Sequence, residues 1–381
     1  MNKTGDSLIL SQAASRFRRL AAALMRGFLL LVTALSMAAV LLIILYIARD
    51  ALPFFRLAGL KEFFASTAWY PSGRPASFGA LSIFFGSAIV TLGAMAVAIP
   101  LGLAAALCLS DILPFAVRQA VKPVIEALAA IPSVAFGFFA LVVFAPLLQN
   151  NGGSVLTVMV WLILLPPGLL LTYLTAEASS RGIREEVAPA VKWVMAGVLG
   201  WILIRGLLAL ADHLGGVTID SGANALNVSL ILGIMALPTI VSVSEDALQA
   251  AGRDLREGSY ALGATRAETL LKVVIPAASS GIVAAVILGV MRAIGETMVV
   301  WMASGNAAQI PKPWFNVLSP VRTLTATIAG DMGEADQVLG SLRYHVLFAL
   351  ALILLLLSFF ANLVSEWVLR RHRRRMSGGQ K

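Results

Sequence analysis

The sequence predicts an all-α integral membrane protein, a polytopic bundle of about eight transmembrane helices. Of its 381 residues, 59% are hydrophobic and only 13% are charged, and the mean hydropathy is +0.87. Soluble domains contain roughly a quarter charged residues. Long uncharged runs alternate here with short charged ones, and about 20 apolar residues are enough for a helix to cross the hydrocarbon core.

Charge and cysteine content exclude several classes of function. The formal net charge is +9, but the basic residues cluster at the edges of apolar runs and not along one polar face, so we expect no nucleic-acid binding. Cys108 is the only cysteine, and the three histidines are His213, His345 and His372. These residues are widely separated, which predicts no disulfide, no metal centre and no cofactor.

Residues 1–78 are predicted to form an N-terminal tail, a first transmembrane helix and an outer segment. The run 27–48 is uncharged and follows several arginines. A secretory signal peptide is the alternative, but its apolar region would be roughly 7–15 residues long and a small-x-small cleavage site would follow. We therefore predict a retained span.

Residues 79–149 and 150–222 are predicted to contain four spans. The first lies at about 82–109, and a turn signal at 149–153 divides the long uncharged run 127–176 into two more. The fourth span, about 193–212, contains Arg205 near its outer end, where the side chain can snorkel.

Residues 223–369 are predicted to contain three spans, at about 221–244, 277–302 and 345–368, with a polar segment at 244–276. The basic tail 370–381 is interpreted as a topology anchor against anionic lipid. In this arrangement 20 of the 29 Lys and Arg residues lie on one side of the membrane and seven on the other. The positive-inside rule then places both termini and the segment 244–276 in the cytoplasm.

The polar segment is predicted to contain two short helices. Gly263 is a suitable C′ residue for a helix over 253–262, and Thr265 with Glu268 has the form of a capping box that opens a second helix. Pro276 is expected to open the next apolar run. An ordinary amphipathic loop is the alternative, because helix–glycine–helix patterns are common.

The same segment resembles the EAA signature of ABC-transporter permeases. Glu257, Gly263, Val273, Ile275 and Pro276 occupy its places, and Gly258-Ser259 stand where the signature has two alanines. The resemblance implies an ATPase-coupling element. Its candidate residues are Glu257, Gly258, Ser259, Gly263, Ala264, Val273, Ile275 and Pro276.

Other motifs resemble phosphate-transport permeases of the PstC type. They are Trp69-Tyr70-Pro71, Phe78-Gly79-Ala80-Leu81, the run 126–134, the run 289–298 and Leu324-Thr325-Ala326-Thr327. The resemblance implies a six-helix ABC importer core, to which residues 150–222 add an inserted hairpin. We expect this hairpin to be peripheral and without a transport role; an assembly contact is the alternative.

The resemblance also implies partners and a location. They are a PstA-like permease subunit, two copies of a PstB-like ATPase, a PstS-like phosphate-binding protein outside the cell, phosphate itself and the lipid of a bacterial inner membrane. A P-loop would require Lys-Ser/Thr after the second glycine, but Gly263 is followed by Ala264-Thr265. We therefore expect a transport subunit that is not an enzyme, with ATP hydrolysed by a partner.

Arg292, Glu296 and Thr297 are the candidate residues of the substrate pathway. An arginine near the bilayer middle costs about 2.5–3.5 kcal/mol on insertion scales, so it is expected to face a partner or a wet pathway. Spaced i and i+4 on one helix, Arg292 and Glu296 are predicted to pair. In one interpretation the pair is a structural clamp; in the other Arg292 binds phosphate and Glu296 neutralises it when substrate is absent.

The same helix carries a small-residue run, Gly281, Ala285 and Gly289, which predicts close packing against a neighbour. Three other functions stay open on the sequence alone. They are a permease for another oxyanion (PstA-like, sulfate or molybdate type), a secondary transporter driven by an ion gradient, and a membrane scaffold without transport activity.

Overall fold

The computed structural model of the chain describes residues 12–57, 59–179, 187–333 and 341–377. Within these ranges eight helices are long and apolar enough to cross a membrane, which confirms the predicted all-α class and number of spans. The spans are Ala21–Leu57, Leu81–Ile112, Ser133–Asn150, Gly152–Ser179, Ala188–Gly215, Ala225–Ala250, Arg266–Ile294 and Leu342–Trp367.

The first half of the chain begins with a long helix, which a short helix and a two-stranded sheet follow. Its elements are α1 (Gln12–Leu57), α2 (Leu60–Ala65), the antiparallel strands β1 (Trp69–Tyr70) and β2 (Ser77–Phe78), α3 (Leu81–Leu107), α4 (Phe115–Ala130), α5 (Ser133–Phe139) and α6 (Ala145–Asn150). One π-helical turn, Cys108–Ile112, extends α3, and another, Ala140–Phe144, joins α5 to α6.

The second half contains three further long helices before the polar segment. Its elements are α7 (Gly152–Ser179), α8 (Ala188–Gly215), α9 (Ala225–Ala250), α10 (Arg253–Ala261), α11 (Arg266–Thr269), α12 (Ile275–Ile294), α13 (Met298–Ala303), α14 (Leu324–Met332) and α15 (Leu342–Ser377). A π-helical turn at Leu270–Val274 makes α11 and α12 one continuous helix.

The core is built around α9, which packs against α12 through small residues. A Cβ added at Gly281 would lie 2.3 Å from the Ala247 side chain, and one at Gly289 would lie 2.8 Å from that of Ile240. Ala285, between the two glycines, is fully buried. The small-residue run predicted on this helix is thus confirmed as a packing face, and the order of its contacts makes α12 antiparallel to α9.

Helix α3 packs on another side of α9 and runs parallel to it. Gly93 lies against Ser229, and Gly102 lies against Ile240. The carboxyl ends of α3 and α9 and the amino end of α11 therefore meet on one face of the bundle. This is the face that carries α10.

The hairpin formed by α7 and α8 is only partly peripheral. Leu170 and Leu174 of α7 are buried in one cluster with Ala104 of α3 and with Ala267 and Leu270 of the continuous helix. The carboxyl-terminal half of α7 therefore packs on the core, although the most apolar stretch of this helix is not buried. Helix α8 packs along α7 and leaves much of its own apolar surface exposed.

One predicted boundary of α12 is wrong. The helix begins at Ile275 with Pro276 in its first turn, close to the predicted start, and the π-helical turn joins it to α11 because the Ile275 N–H donates to the Leu270 carbonyl just before the proline, which has no N–H. It ends at Ile294, however, and not near residue 302. Gly295 follows, and the carboxylate of Glu296 then binds backbone N–H groups that a continued helix would have used.

Candidate functional site

Arg292 lies in the membrane-spanning part of α12. It is one turn beyond Gly289, which packs against Ile240 near the middle of α9. The residue is exposed, and among the described residues its guanidinium has no ion-pair or hydrogen-bond partner. A charged group in this position needs a partner, a ligand or water, since hydrocarbon cannot solvate it.

The predicted pair between Arg292 and Glu296 is wrong. Glu296 lies beyond the end of α12, so the two residues do not share a helical face. Its Oε1 atom accepts hydrogen bonds from the N–H groups of Thr297 (3.2 Å) and Met298 (3.1 Å). The carboxylate thus satisfies free donors at the start of α13, where a negative charge is favourable.

Several hydroxyl groups lie near Glu296. The Thr325 hydroxyl donates to the Glu296 carbonyl oxygen at 2.7 Å, and the Ser87 hydroxyl accepts from the Leu324 N–H at 2.9 Å. A narrow pocket between α3, α12 and α14 is lined by Ser87, Val90, Thr91, Ala293, Ile294, Glu296, Val300, Thr323 and Thr325. Arg292 is not among the described residues that line it.

This pocket adjoins a wider cavity of about 300 Å³, with which it shares Ser87, Thr91 and Ile294. The wider cavity is otherwise lined by apolar side chains, Phe84 and Leu357 among them. Sequence reasoning missed the hydroxyl pocket. A signal existed in the alternating threonines at 323, 325 and 327, but Ser and Thr are too common to mark a site without their neighbours.

A largely buried ion pair anchors α14 to the bundle. Arg322 binds the Asp331 carboxylate, whose other oxygen accepts a hydrogen bond from the Trp69 indole N–H at 3.1 Å. A Cβ added at Gly86 of α3 would lie 2.2 Å from the Arg322 carbonyl oxygen, so α3 approaches this loop closely. From the sequence, Arg322 counts only as a charge outside the membrane. The buried site also depends on Trp69, which is 262 residues from Asp331, so no local pattern indicates it.

Asp331→Asn is expected to destabilise the protein by about 3 kcal/mol, since it leaves the Arg322 charge buried without its counter-ion. The measurement is the denaturation midpoint of the purified protein in detergent. Glu366→Gln is the matched control, because Glu366 forms an exposed ion pair with Arg370 whose loss should cost well under about 1 kcal/mol. Equal shifts for the two variants would contradict a structural role for the buried pair.

The polar segment forms two helices, as predicted. Gly263 has φ +81°, its N–H donates to the Tyr260 carbonyl, and the Ala264 N–H donates to the Ser259 carbonyl. This is a left-handed helix end of the Schellman type. Thr265 and Glu268 form the predicted capping box, with both reciprocal hydrogen bonds present.

One face of α10 is exposed and carries apolar side chains. Leu262 is 86% exposed, and Leu255 and Tyr260 are each more than 40% exposed. Glu257 and Gly258 are also exposed. We call the surface formed by Leu255, Glu257, Gly258, Tyr260, Leu262 and Gly263 the docking face.

The opposite face of α10 is fixed to the bundle by Arg256. Its guanidinium binds both carboxylate oxygens of Asp111, at 2.8 and 3.3 Å, and donates to the carbonyls of Leu248 and Gly252. The Ser259 hydroxyl is 2.9 Å from that of Thr269. Sequence reasoning missed Arg256, because Asp111 lies 145 residues away and no local pattern connects them.

The eight candidate coupling residues fall into two groups. Glu257, Gly258, Ser259, Gly263 and Ala264 belong to α10 and its end. Val273, Ile275 and Pro276 lie instead on the continuous helix as it leaves the polar segment, with Val273 and Ile275 half-buried and Pro276 exposed. The second group therefore shapes the helix around the π-helical turn and is not part of the docking face.

Comparison with known proteins identifies the family. The model of the binding-protein-dependent transport system inner membrane component matches residues 98–377. The chain belongs to this family. It is thus an ABC-transporter permease subunit, and the matched region includes α10, α12 and α14.

Curated relatives align with most of the permease. The probable ABC transporter permease protein YqgH of Bacillus subtilis (strain 168) is 30% identical over 341 residues, 89% of this chain and 88% of its own. The phosphate transport system permease protein PstC of Mesorhizobium japonicum is 31% identical over 310 residues, 81% of this chain and 78% of its own. PstC 1 of Mycobacterium tuberculosis is 27% identical over 336 residues.

Proposed function

We propose that this permease is the PstC-type subunit of an ATP-driven importer of inorganic phosphate. Several relatives bear the name of that subunit. A PstA-like subunit completes the translocation pathway, two PstB-like ATPases bind on the cytoplasmic side, and a PstS-like protein delivers phosphate from outside. The excess of basic residues on the α10 side supports a bacterial inner-membrane location with both termini in the cytoplasm.

The observation that carries the proposal is the connection between the docking face and Arg292. From Arg266 to Ile294 the chain is one helix of 29 residues, about 43 Å long. Its amino end adjoins α10 through the Ser259–Thr269 contact, and its other end carries Arg292. A movement that an ATPase imposes on α10 can therefore reach the middle of the membrane.

Arg292 is the proposed phosphate ligand within the membrane. Its guanidinium can donate two parallel hydrogen bonds to a phosphate, and no described side chain competes for it. Glu296 does not neutralise it in this conformation, because its carboxylate is bound by backbone N–H groups. We propose that Glu296 and Thr297 shape the pathway at the start of α13.

Leu262→Asp is expected to weaken ATPase binding about 10- to 100-fold, since burying one leucine contributes about 1.5–3 kcal/mol. The measurement is the affinity of the purified permease complex for its ATPase subunit. Leu60→Asp is the matched control, because Leu60 is 58% exposed on α2, away from the docking face. Equal affinities for the two variants would show that the ATPase docks elsewhere.

A gradient-driven carrier is the second candidate, because helices interrupted at mid-membrane are typical of secondary transporters. The break at Gly295 between α12 and α13 is such an interruption. Purification of the complex separates the two candidates. The permease of an ATP-driven importer co-purifies with a nucleotide-binding subunit, whereas a gradient-driven carrier transports its substrate without one.

A further inference from the structure

Helix α4 is loosely attached to the rest of the permease. None of its residues is buried, and among the described elements it packs chiefly against α9. Beneath it lies an apolar cavity of about 290 Å³, lined by Ile125 and Leu128 of α4 and by residues of α3, α7 and α9. An apolar cavity gives water few partners, so α4 has space to move there without breaking polar contacts.

The cytoplasmic half of α4 is held by one buried carboxylate. Glu245 of α9 has a fully buried side chain; its Oε1 is 2.6 Å from Arg118 Nη2, and its Oε2 is 3.0 Å from Lys122 Nζ. The Gln249 amide donates to the same carboxylate at 2.7 Å, and Lys122 is also 3.8 Å from Asp246. Both basic residues belong to α4, so Glu245 connects that helix to α9.

Glu245 lies close to the docking face along the chain. Helix α9 ends at Ala250, and α10 begins at Arg253. Arg256 of α10 donates back to the Leu248 carbonyl, one turn after Glu245. A displacement of α10 therefore acts directly on the turn of α9 that holds α4.

The other end of α4 leads to the substrate pathway. After Pro132 the chain continues as α5, where a Cβ added at Gly137 would be 2.8 Å from Met302 Sδ and 3.2 Å from the Met298 carbonyl oxygen. Both methionines belong to α13, the helix whose first N–H groups bind Glu296. Helix α4 thus joins the cytoplasmic docking region to the element beside the candidate pathway.

We propose that Glu245 is a positioning residue that makes α4 follow the docking face, so that α4 moves over its cavity during each ATP cycle. The inference rests on the proposed function, because it requires an ATPase on α10. Movement of α10 would then reach the substrate pathway in two ways, through the continuous helix and through α4 and α5 to α13. Glu245 acts here through Arg118 and Lys122 and does not touch the substrate.

Cys108 provides a probe of this movement. It lines the cavity beneath α4 and is the only cysteine of the chain. The experiment measures the rate at which N-ethylmaleimide labels Cys108 in the assembled complex, by mass spectrometry of this subunit, without nucleotide and after trapping with ATP and vanadate. We expect the two rates to differ at least fivefold in the wild type and less than twofold in Glu245→Gln.

A second measurement separates coupling from folding. Glu245→Gln should lower the phosphate taken up per ATP hydrolysed at least tenfold. Glu245→Asp should retain part of the wild-type ratio. In the Glu245→Gln background, Arg118→Gln should lower the ratio little further. Arg370→Gln, which removes an exposed ion pair with Glu366, is the control. Similar thermal stability of the variant and wild-type complexes would show that the loss is not one of assembly.

The outcomes distinguish this inference from the function on which it rests. Equal labelling rates in the two nucleotide states of the wild type, or a normal uptake ratio in Glu245→Gln, would overturn the role of Glu245 and leave the importer intact. Absence of ATP-driven uptake in the wild-type complex would instead overturn the proposed function.

Discussion

Arg292→Gln is expected to lower phosphate uptake about 10- to 100-fold while the complex still assembles. A charge-assisted contact contributes about 1.5–3 kcal/mol, which corresponds to factors of that size. Because the guanidinium has no ion-pair or hydrogen-bond partner among the described residues, its removal breaks no internal ion pair. The measurement is ATP-dependent uptake of labelled phosphate into proteoliposomes that contain the whole complex.

Arg205→Gln is the matched control, since Arg205 also lies within a membrane span but stacks over Trp201 at 5.7 Å on exposed α8. We expect its uptake to stay within about twofold of wild type, because snorkelling can place this charge at the interface. Arg292→Lys should fall between the two, as lysine retains the charge without the planar fork. Near-normal uptake by Arg292→Gln would remove this residue from the pathway.

Gly263→Val is expected to lower the amount of phosphate transported per ATP hydrolysed at least about tenfold. Gly263 has φ +81°, where a β-branched residue is strongly disfavoured and the left-handed conformation costs about 1–2 kcal/mol for ordinary residues. A Cβ there would meet no atom within 4 Å, so the effect is one of backbone conformation and not of a clash. The helix end would unwind and displace Leu262. The measurement is phosphate transported per ATP hydrolysed.

Two variants sharpen this test. Gly263→Asn should retain most of the coupling, because asparagine enters the left-handed region more readily than other residues. Gly206→Val is the control: Gly206 also has open space around it, but it lies within α8 and has an ordinary φ. If coupling survives valine at position 263, the end of α10 is not the element that transmits ATPase movement.

Features that depend on neighbouring residues were predictable from sequence. The eight spans follow from apolar runs, and the end of α10 and the capping box follow from Gly263, Thr265 and Glu268. The packing face of α12 follows from glycines at helical spacing. Each of these patterns is contained within about 30 residues, so no knowledge of the tertiary fold was needed.

Features that join distant segments were not predictable. Arg256 and Asp111 are separated by 145 residues, and Glu245 pairs with basic residues more than 120 positions earlier. The predicted pair of Arg292 and Glu296 failed for a local reason. Helix α12 ends at Ile294, and the Glu296 carboxylate binds the N–H groups of Thr297 and Met298 at the start of α13. The i, i+4 spacing of Arg292 and Glu296 does not indicate that the carboxylate binds backbone N–H groups instead of the guanidinium.

The candidate site was predicted in part. Arg292 stands out because a charge in an apolar run is rare, and the structure places it in a membrane span as expected. The hydroxyls of Ser87, Thr323 and Thr325 converge from two helices and a loop, so only the fold brings them to Glu296.

The most direct test of the proposed function is uptake by the reconstituted complex of this permease, its partner permease, the ATPase and the binding protein. Labelled phosphate should enter proteoliposomes only with ATP, and unlabelled phosphate should compete at concentrations where sulfate and molybdate do not. Uptake that follows an ion gradient without ATP, or that sulfate or molybdate blocks as well as phosphate, would contradict it.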